Sequence, residues 1–295
     1  MGEPELEYVR CNLCQQDETQ IFLSGSGPLK FVRCRHDALL YMNPRPRMER
    51  VRQFHTQFVR ASNLDYFSGH RRDVLRREAN AIKAIKQGGT LLDVGCATGT
   101  LFENFSSRTW QLYGVDTSSV GVDLAQKNHK AQVFCGTVRE TTYPSNFFDV
   151  ITLLDTLYYC PDPYSELVEL RRILKDDGTL AIEIPGYKYS LIRDKGLVCW
   201  LLDRTWIRGF MRTRHLYYFS PRCLRLLLEK AGFKVVRVLP EQASLGRTGL
   251  LRFLNELHFA LARALFWLTK GGLSIAAKEF YLAVKHDCTA KTVGS

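Results

Sequence analysis

The chain has 295 residues, of which 45% are hydrophobic, with nine cysteines and a formal net charge of +11, which is enough apolar mass for one sizeable α/β domain and a small appendage. The start MGEPELEYVR lacks the basic and apolar regions of a signal peptide, Leu6 spoils the myristoylation pattern that Gly2 begins, and no apolar run approaches the roughly 18 residues of a membrane span. A cytoplasmic protein with reduced thiols is therefore expected, and its odd cysteine number opposes a disulfide framework; the positive charge calls for an anionic partner, whether nucleic acid, a phosphorylated small molecule or a membrane surface.

Cys11 and Cys14 form a C-x2-C pair, and a second cluster, CRHDALLYMNPRP, begins at Cys34. Alone, the first pair is open to a disulfide, a redox pair, a metal knuckle or chance, although no βαβ pattern of the thioredoxin kind surrounds it. Residues 1–46 are set apart as a small module and 47–88 as a helical linker or lid. Within the latter, the basic stretch HRRDVLRRE from His70 reads as a solvated helix face.

From Gly89 short apolar runs alternate with amphipathic stretches, the signature of a doubly wound parallel sheet. TLLDVG is the first strand and LFENFSS the helix after it; WQLYGVD (110–116) is the second strand, followed by a helix capped by Ser118. AQVFCG gives a short third strand and FFDVITLLD (147–155) a continuous apolar fourth. PYSELVELRRIL makes a helix stopped by Asp176 to Gly178, and TLAIEIP is strand five. An insertion at 186–219, rich in aromatic and basic residues, precedes a helix that opens with Ser220-Pro221. FKVVRVL is strand six; a helical insertion at 241–276 follows, and KEFYLAVKHD (278–287) alternates like an edge strand. The main domain thus spans 89–287, with 288–295 as a tail.

The segment LLDVGCATG (91–99) ends a strand and opens a helix, the place where an open α/β sheet binds ligands. The dinucleotide fingerprint needs glycines where Gly95, Ala97 and Thr100 stand, so two of three positions fail and a nicotinamide or flavin enzyme is disfavoured. Asp116 closes the second strand, where a carboxylate can accept from two ribose hydroxyls. D-x-G-x-x-T-G with an acid closing the next strand resembles the class I S-adenosylmethionine-dependent methyltransferases, and the resemblance covers roughly 89–287. It implies a Rossmann-like sheet of seven strands, mostly parallel, with helical insertions.

The same resemblance implies that Asp93, Gly95, Cys96, Ala97 and Gly99 line the methionine end of the cofactor, with Asp116 at the ribose and Thr117 and Ser118 nearby. Thr137 and Val138 would flank the adenine, and Asp155 and Thr156 would face the sulfonium and the acceptor. Cys96 also reads simply as a small apolar side chain in a crowded turn. Relatives commonly carry Glu-His after strand four; here Tyr158 and Tyr159 stand instead, to orient a hydroxyl acceptor or to pack. His215, in RHLYYFS, is the remaining candidate base, or else a residue that caps or packs beside Tyr217 and Phe219.

The N-terminal module resembles the zinc module of some sugar and natural-product methyltransferases, whose second half reads C-x2-C-G-L-x-Y-x-N-P. Asp37 occupies the place of its fourth cysteine, with His36 beside it. The resemblance implies structural zinc held by Cys11, Cys14, Cys34 and either His36 or Asp37; imidazole is the better donor, while spacing favours Asp37. A segment of this size buries too little apolar surface to be stable unaided, and a metal would supply the difference. The alternative is a metal-free ribbon held by packing on the main domain.

For the acceptor, the first expectation is a small or carrier-linked, anionic metabolite, a nucleotide- or lipid-linked sugar or related natural product, methylated at oxygen or carbon. Arg193, Arg204, Arg208, Arg212 and Arg214 could meet a diphosphate. The apolar second insertion, from Leu250 to Trp267, is suited to covering the pocket, dimerising or resting on a membrane surface, with core packing taken first. RNA is the second expectation, opposed by the lack of a known recognition motif and by the position of Pro161 to Tyr164, too far past strand four for amino-group chemistry. A binding protein that keeps the fold without catalysis is the third.

Overall fold

The computed structural model describes residues 6–24, 28–51, 53, 70–195, 215–242 and 249–286. The N-terminal residues form β1 (Leu6–Glu7), β2 (Thr19–Ser24), β3 (Lys30–Cys34), β4 (Leu40–Met42) and β5 (Arg45–Pro46). Then come α1 (His70–Lys83), β6 (Gly89–Val94), β7 (Trp110–Asp116), α2 (Ser119–Asn128), β8 (Ala131–Cys135) and β9 (Phe148–Leu154). They are followed by α3 (Pro163–Ile173), β10 (Leu174–Pro185), α4 (Tyr187–Lys195), β11 (Tyr217–Tyr218), α5 (Pro221–Lys230), β12 (Phe233–Glu241), α6 (Gly249–Leu268) and β13 (Lys278–Lys285).

The main sheet has seven strands in the order β12-β13-β10-β9-β6-β7-β8. Strands β6 to β10 run parallel, and β13 is antiparallel to both of its neighbours. The chain builds outward from β6 through β7 to β8, then returns to place β9 on the other side of β6, which opens a crevice at the carboxyl ends of β6 and β9. Leu91, Leu92, Val150, Ile151, Leu153, Leu180 and Ile182 are fully buried, so both sheet faces are covered and the strands read as unbroken apolar runs. Local caps work as the sequence implies: Ser118 Oγ accepts the Gly121 N–H at 3.3 Å, and Ser220 Oγ accepts the Cys223 N–H at 3.2 Å.

Several expectations are corrected. LFENFSS does not form a full helix: Gly99 enters with φ 78°, and a 3-10 turn over Thr100–Asn104 follows. The next strand starts at Trp110, and packing of Phe105 on Trp110 (5.1 Å) ends the turn early; α1 shares that core with Leu101 and Phe102. Helix α3 ends at Ile173, and β10 begins at Leu174, ahead of Asp176 to Gly178, the acidic turn expected to stop the helix. Strand β13 is interior, because Phe280, Tyr281, Leu282 and Ala283 are all buried between β10 and β12. Its run FYLAV carries that signal in plain view.

Helix α6 does not join the core over most of its surface. Ala262 and Phe266 are buried, but Phe253, Leu254, Leu257, Leu261 and Leu268 are exposed, Leu268 to 82%. The basic stretch on α1 is likewise more than a solvated face: Arg72 and Arg76 are exposed, but Arg71 and Glu78 are buried.

The second sheet, in the order β11-β4-β3-β2, takes its fourth strand from the far end of the first insertion, with Tyr217 opposite Tyr41 and Tyr218 opposite Leu40. Tyr41 stacks on Tyr217 (6.4 Å), and Phe31 meets Tyr218 edge-on (5.4 Å). The N-terminal module is thereby sewn to the segment that carries His215. Arg204, Arg208, Arg212 and Arg214 lie outside the described residues, as does the side chain of Arg193.

Candidate active site and cysteine cluster

At the end of β6 the backbone takes positive φ at Gly95 (78°), Ala97 (47°) and Gly99 (78°). A Cβ on Gly95 would lie 2.2 Å from Thr156 Oγ1, so the turn closes directly against the end of β9. Asp116 secures it from the next strand: its Oδ2 accepts the Ala97 N–H and its Oδ1 the Ser118 N–H, each at 2.8 Å. Burial pushes the Asp116 carboxyl up, and these two N–H donors act against that shift. Cys96 is buried, and a Cβ on Gly114 would meet its sulfur at 2.7 Å; burial pushes the thiol well up, in keeping with a space-filling role.

Gly95, Ala97, Asp116, Thr117, Thr137, Asp155, Thr156 and Tyr159 are partly exposed along the carboxyl edge of the sheet, while Ser118 is fully buried as a cap. The Thr137 N–H donates to Glu140 Oε2 at 2.7 Å, and the Val138 side chain belongs to the main core. Asp93 lies buried beneath the turn, where it accepts the Thr152 hydroxyl at 2.6 Å. Its carboxyl is pushed up to about 7, chiefly by burial, against the Thr152 hydrogen bond and the charge of Arg71.

The adjacent Tyr158 and Tyr159 and the sequence-distant His215, the three candidate catalytic side chains, form one cluster. The His215 ring lies 4.4 Å from Tyr158, 5.2 Å from Tyr159 and 5.3 Å from Tyr218. The Tyr158 hydroxyl donates to Asp155 Oδ1 at 2.9 Å, and Asp155 itself sits at φ 59°. This links the aromatic cluster to the edge on which the glycine turn lies.

Below Asp155 is a charge network that the sequence reading missed. Arg71 Nη1 reaches Glu183 Oε1 at 2.6 Å and Asp155 Oδ2 at 3.4 Å; Lys278 Nζ donates to Glu183 Oε1 at 2.7 Å and also to Asp155. Burial acts to raise Glu183, but the two cations hold it well below the usual carboxylate range. Glu78 is pushed well above that range, first by burial and then by the charge on the neighbouring Glu183. The available signal was Glu183, a lone carboxylate in the apolar strand AIEIP, since such a group demands buried cationic partners.

In the module, ligand atoms of Cys11, Cys14, Cys34 and Asp37 all lie within 4.8 Å of one another. The Cys11 thiol donates to Asp37 Oδ2 at 3.1 Å, and the Cys14 and Cys34 sulfurs are 3.5 Å apart. The two knuckles share a backbone design. Gln15 N–H donates to Cys11 O at 2.8 Å and Ala38 N–H to Cys34 O at 3.1 Å, with φ 65° at Gln15 and 64° at Ala38. Asp37 therefore occupies the position equivalent to Cys14, whereas His36 turns outward to Glu18 (3.5 Å), which removes it from the candidate ligands. Burial pushes the Cys14 thiol up to about 11; Asp37 is held below its ordinary range, with burial opposed by the Leu39 N–H and the thiols. Three sulfurs and one carboxylate at this spacing fit the tetrahedral ligand set of zinc.

A family model described as "Methyltransferase domain" matches residues 67–238. A ubiquinone biosynthesis O-methyltransferase from Actinobacillus pleuropneumoniae serotype 7 is 30% identical over 120 residues, covering 37% of this chain and 50% of that protein. The chain thus spans about half the length of the curated relatives it matches. A SAM-dependent methyltransferase from Archaeoglobus fulgidus superposes with a TM-score of 0.53 at 18% identity, covering 75% of this chain and 97% of that one. Magnesium protoporphyrin IX methyltransferase from Synechocystis PCC 6803, solved with bound SAH, gives 0.52 at 13% identity over 80% and 99%. These two likenesses establish the fold. With more than half of its length matched by the family model and its strands in that order, the chain belongs to the methyltransferase-domain family and has the Rossmann-like class I fold of S-adenosylmethionine-dependent methyltransferases.

Proposed function

We propose that the protein transfers a methyl group from S-adenosylmethionine to an oxygen or carbon of a small or carrier-linked metabolite, a nucleotide- or lipid-linked sugar or related natural product. The observation that carries this reading is the joining of His215, Tyr158, Tyr159 and Asp155 into one cluster beside the glycine turn. The cofactor, when bound, supplies an already activated methyl on its sulfonium. The protein's work is therefore to align and to exclude water.

Asp116 can serve the ribose because each of its oxygens takes one backbone N–H and keeps a second lone pair free. The backbone at Gly95 and Ala97 carries no bulky side chain and lets the methionine end approach, with Asp93, Cys96 and Gly99 supporting the turn from below and Thr117 and Ser118 beside it. Thr137 and the backbone of Val138 border the adenine end, and Thr156 and Asp155 the acceptor. Tyr158 and Tyr159 orient the acceptor, and His215 takes the proton when the acceptor atom is oxygen. Zinc would be held by Cys11, Cys14, Cys34 and Asp37, where it would stabilise the module without entering the chemistry. The net charge of +11 supports an anionic acceptor.

The test is incubation of the purified protein with labelled S-adenosylmethionine in a metabolite extract, followed by isolation of the labelled product. A labelled small or carrier-linked metabolite is expected, with labelling lost in His215→Ala while cofactor affinity is kept. Label recovered only in RNA would overturn the reading, as would cofactor binding with no transfer to any acceptor.

A further inference from the structure

His215 and Tyr158 come from separate connections of the main domain, and something must hold those connections in register. The Leu216 N–H donates to Tyr158 O at 2.9 Å, and Leu216 O in turn accepts the Met42 N–H of β4 at 2.8 Å. One side chain reinforces both. The Arg45 guanidinium, on β5, donates from Nη1 to Pro161 O at 2.7 Å and to Tyr217 Oη at 3.1 Å, while the Tyr217 hydroxyl donates to Pro161 O at 2.8 Å. Its Nε donates to Glu7 Oε1 at 2.8 Å, which fixes the fork from the module side. Arg45 is buried, as is its bond to Tyr217, and its planar fork with fixed donors holds geometry that a single ammonium cannot.

We propose that Arg45 is a positioning residue for the acceptor side of the site, and that the N-terminal module is the wall against which His215 and the two tyrosines are set. This rests on the reading of those three residues as the acceptor-side group. Further contacts lead the same way: Asn12 Nδ2 donates to Asp162 Oδ1 at 2.9 Å, and Asn12 Oδ1 accepts the Tyr164 N–H at 3.0 Å, both just beyond Pro161. The glycine turn is anchored differently, by Asp116 and by Val115 O, which accepts the Gly95 N–H at 2.7 Å, within the main sheet. Loss of the Arg45 fork should therefore loosen the acceptor side and spare the cofactor side. An appended module that serves only for folding would not divide the site in this way.

The experiment compares the full chain with Arg45→Lys, Arg45→Met and the milder Tyr217→Phe by amide hydrogen exchange and by calorimetric titration with S-adenosylmethionine. Exchange is expected to rise about tenfold in peptides covering 157–164 and 215–219 in both Arg45 variants, and less in Tyr217→Phe. Peptides covering 89–118 and the cofactor dissociation constant should stay within about twofold. Once an acceptor is identified, the same variants should lower turnover with the KM for cofactor unchanged. Unchanged exchange at 157–164 and 215–219 overturns the proposal, and so does an equal rise in 89–118, which would mark a general loss of stability. If the unaltered chain fails to bind the cofactor, the proposed function fails instead, while the exchange comparison still decides the role of Arg45.

Discussion

Asp116 Oδ2 accepts the Ala97 N–H at 2.8 Å, so the carboxylate that closes one strand of the sheet also ties down the glycine turn that opens from its neighbour. With Asp116→Ala, the Ala97 and Ser118 N–H groups lose their acceptor, and the fold should lose about 2 kcal/mol. Cofactor affinity should drop at least about tenfold, because the ribose acceptors go with it. Denaturant melts and calorimetric titration of the same preparation check both effects; unchanged binding would remove Asp116 from the site.

Gly95→Ala tests the turn itself. The added Cβ would sit 2.2 Å from Thr156 Oγ1 on a backbone at φ 78°. A loss of about 1–3 kcal/mol and no measurable cofactor binding are expected, read by thermal denaturation and titration.

Asp93 makes stability pH-dependent in a stated direction. Burial raises its carboxyl from 3.8 to about 7, so the folded state prefers the protonated form. The stabilisation is complete below about pH 4 and is lost as pH rises through about 7, an effect of no more than about 4 kcal/mol at about 1.4 kcal/mol per unit. Asp93→Asn keeps an acceptor for Thr152 and should lose less stability than the native chain between pH 5 and pH 8. Parallel denaturant curves across that range decide it.

The metal reading predicts about one zinc per chain in protein purified without chelator. Stripping it should lower the melting temperature, and Asp37→Asn should weaken retention, because a neutral amide replaces an anionic ligand. His36→Ala should change neither, since His36 points to Glu18. Metal analysis by mass spectrometry and thermal melts give the answer.

On α6, exposed and buried positions should separate cleanly. Leu261→Lys is expected to change stability by no more than about 0.5 kcal/mol, whereas Phe266→Ala, which empties a buried site, should cost about 3–5 kcal/mol. Denaturant melts compare them directly.

By itself the sequence determined the features that depend on neighbours within a turn or two. The second strand at 110–116, the Ser118 and Ser220 caps and the glycine turn are all found where it puts them, because capping, turn chemistry and apolar runs are local. The tertiary structure alone decided the pairing of β4 with β11. It also decided the placement of Arg71 and Lys278 around Glu183. Each of these is settled by partners tens to more than a hundred residues away, and composition and spacing do not encode which distant surfaces meet. A buried carboxylate or an unpaired strand edge states in the sequence only that a partner is required; its identity follows from the packing that brings the partner within hydrogen-bond reach.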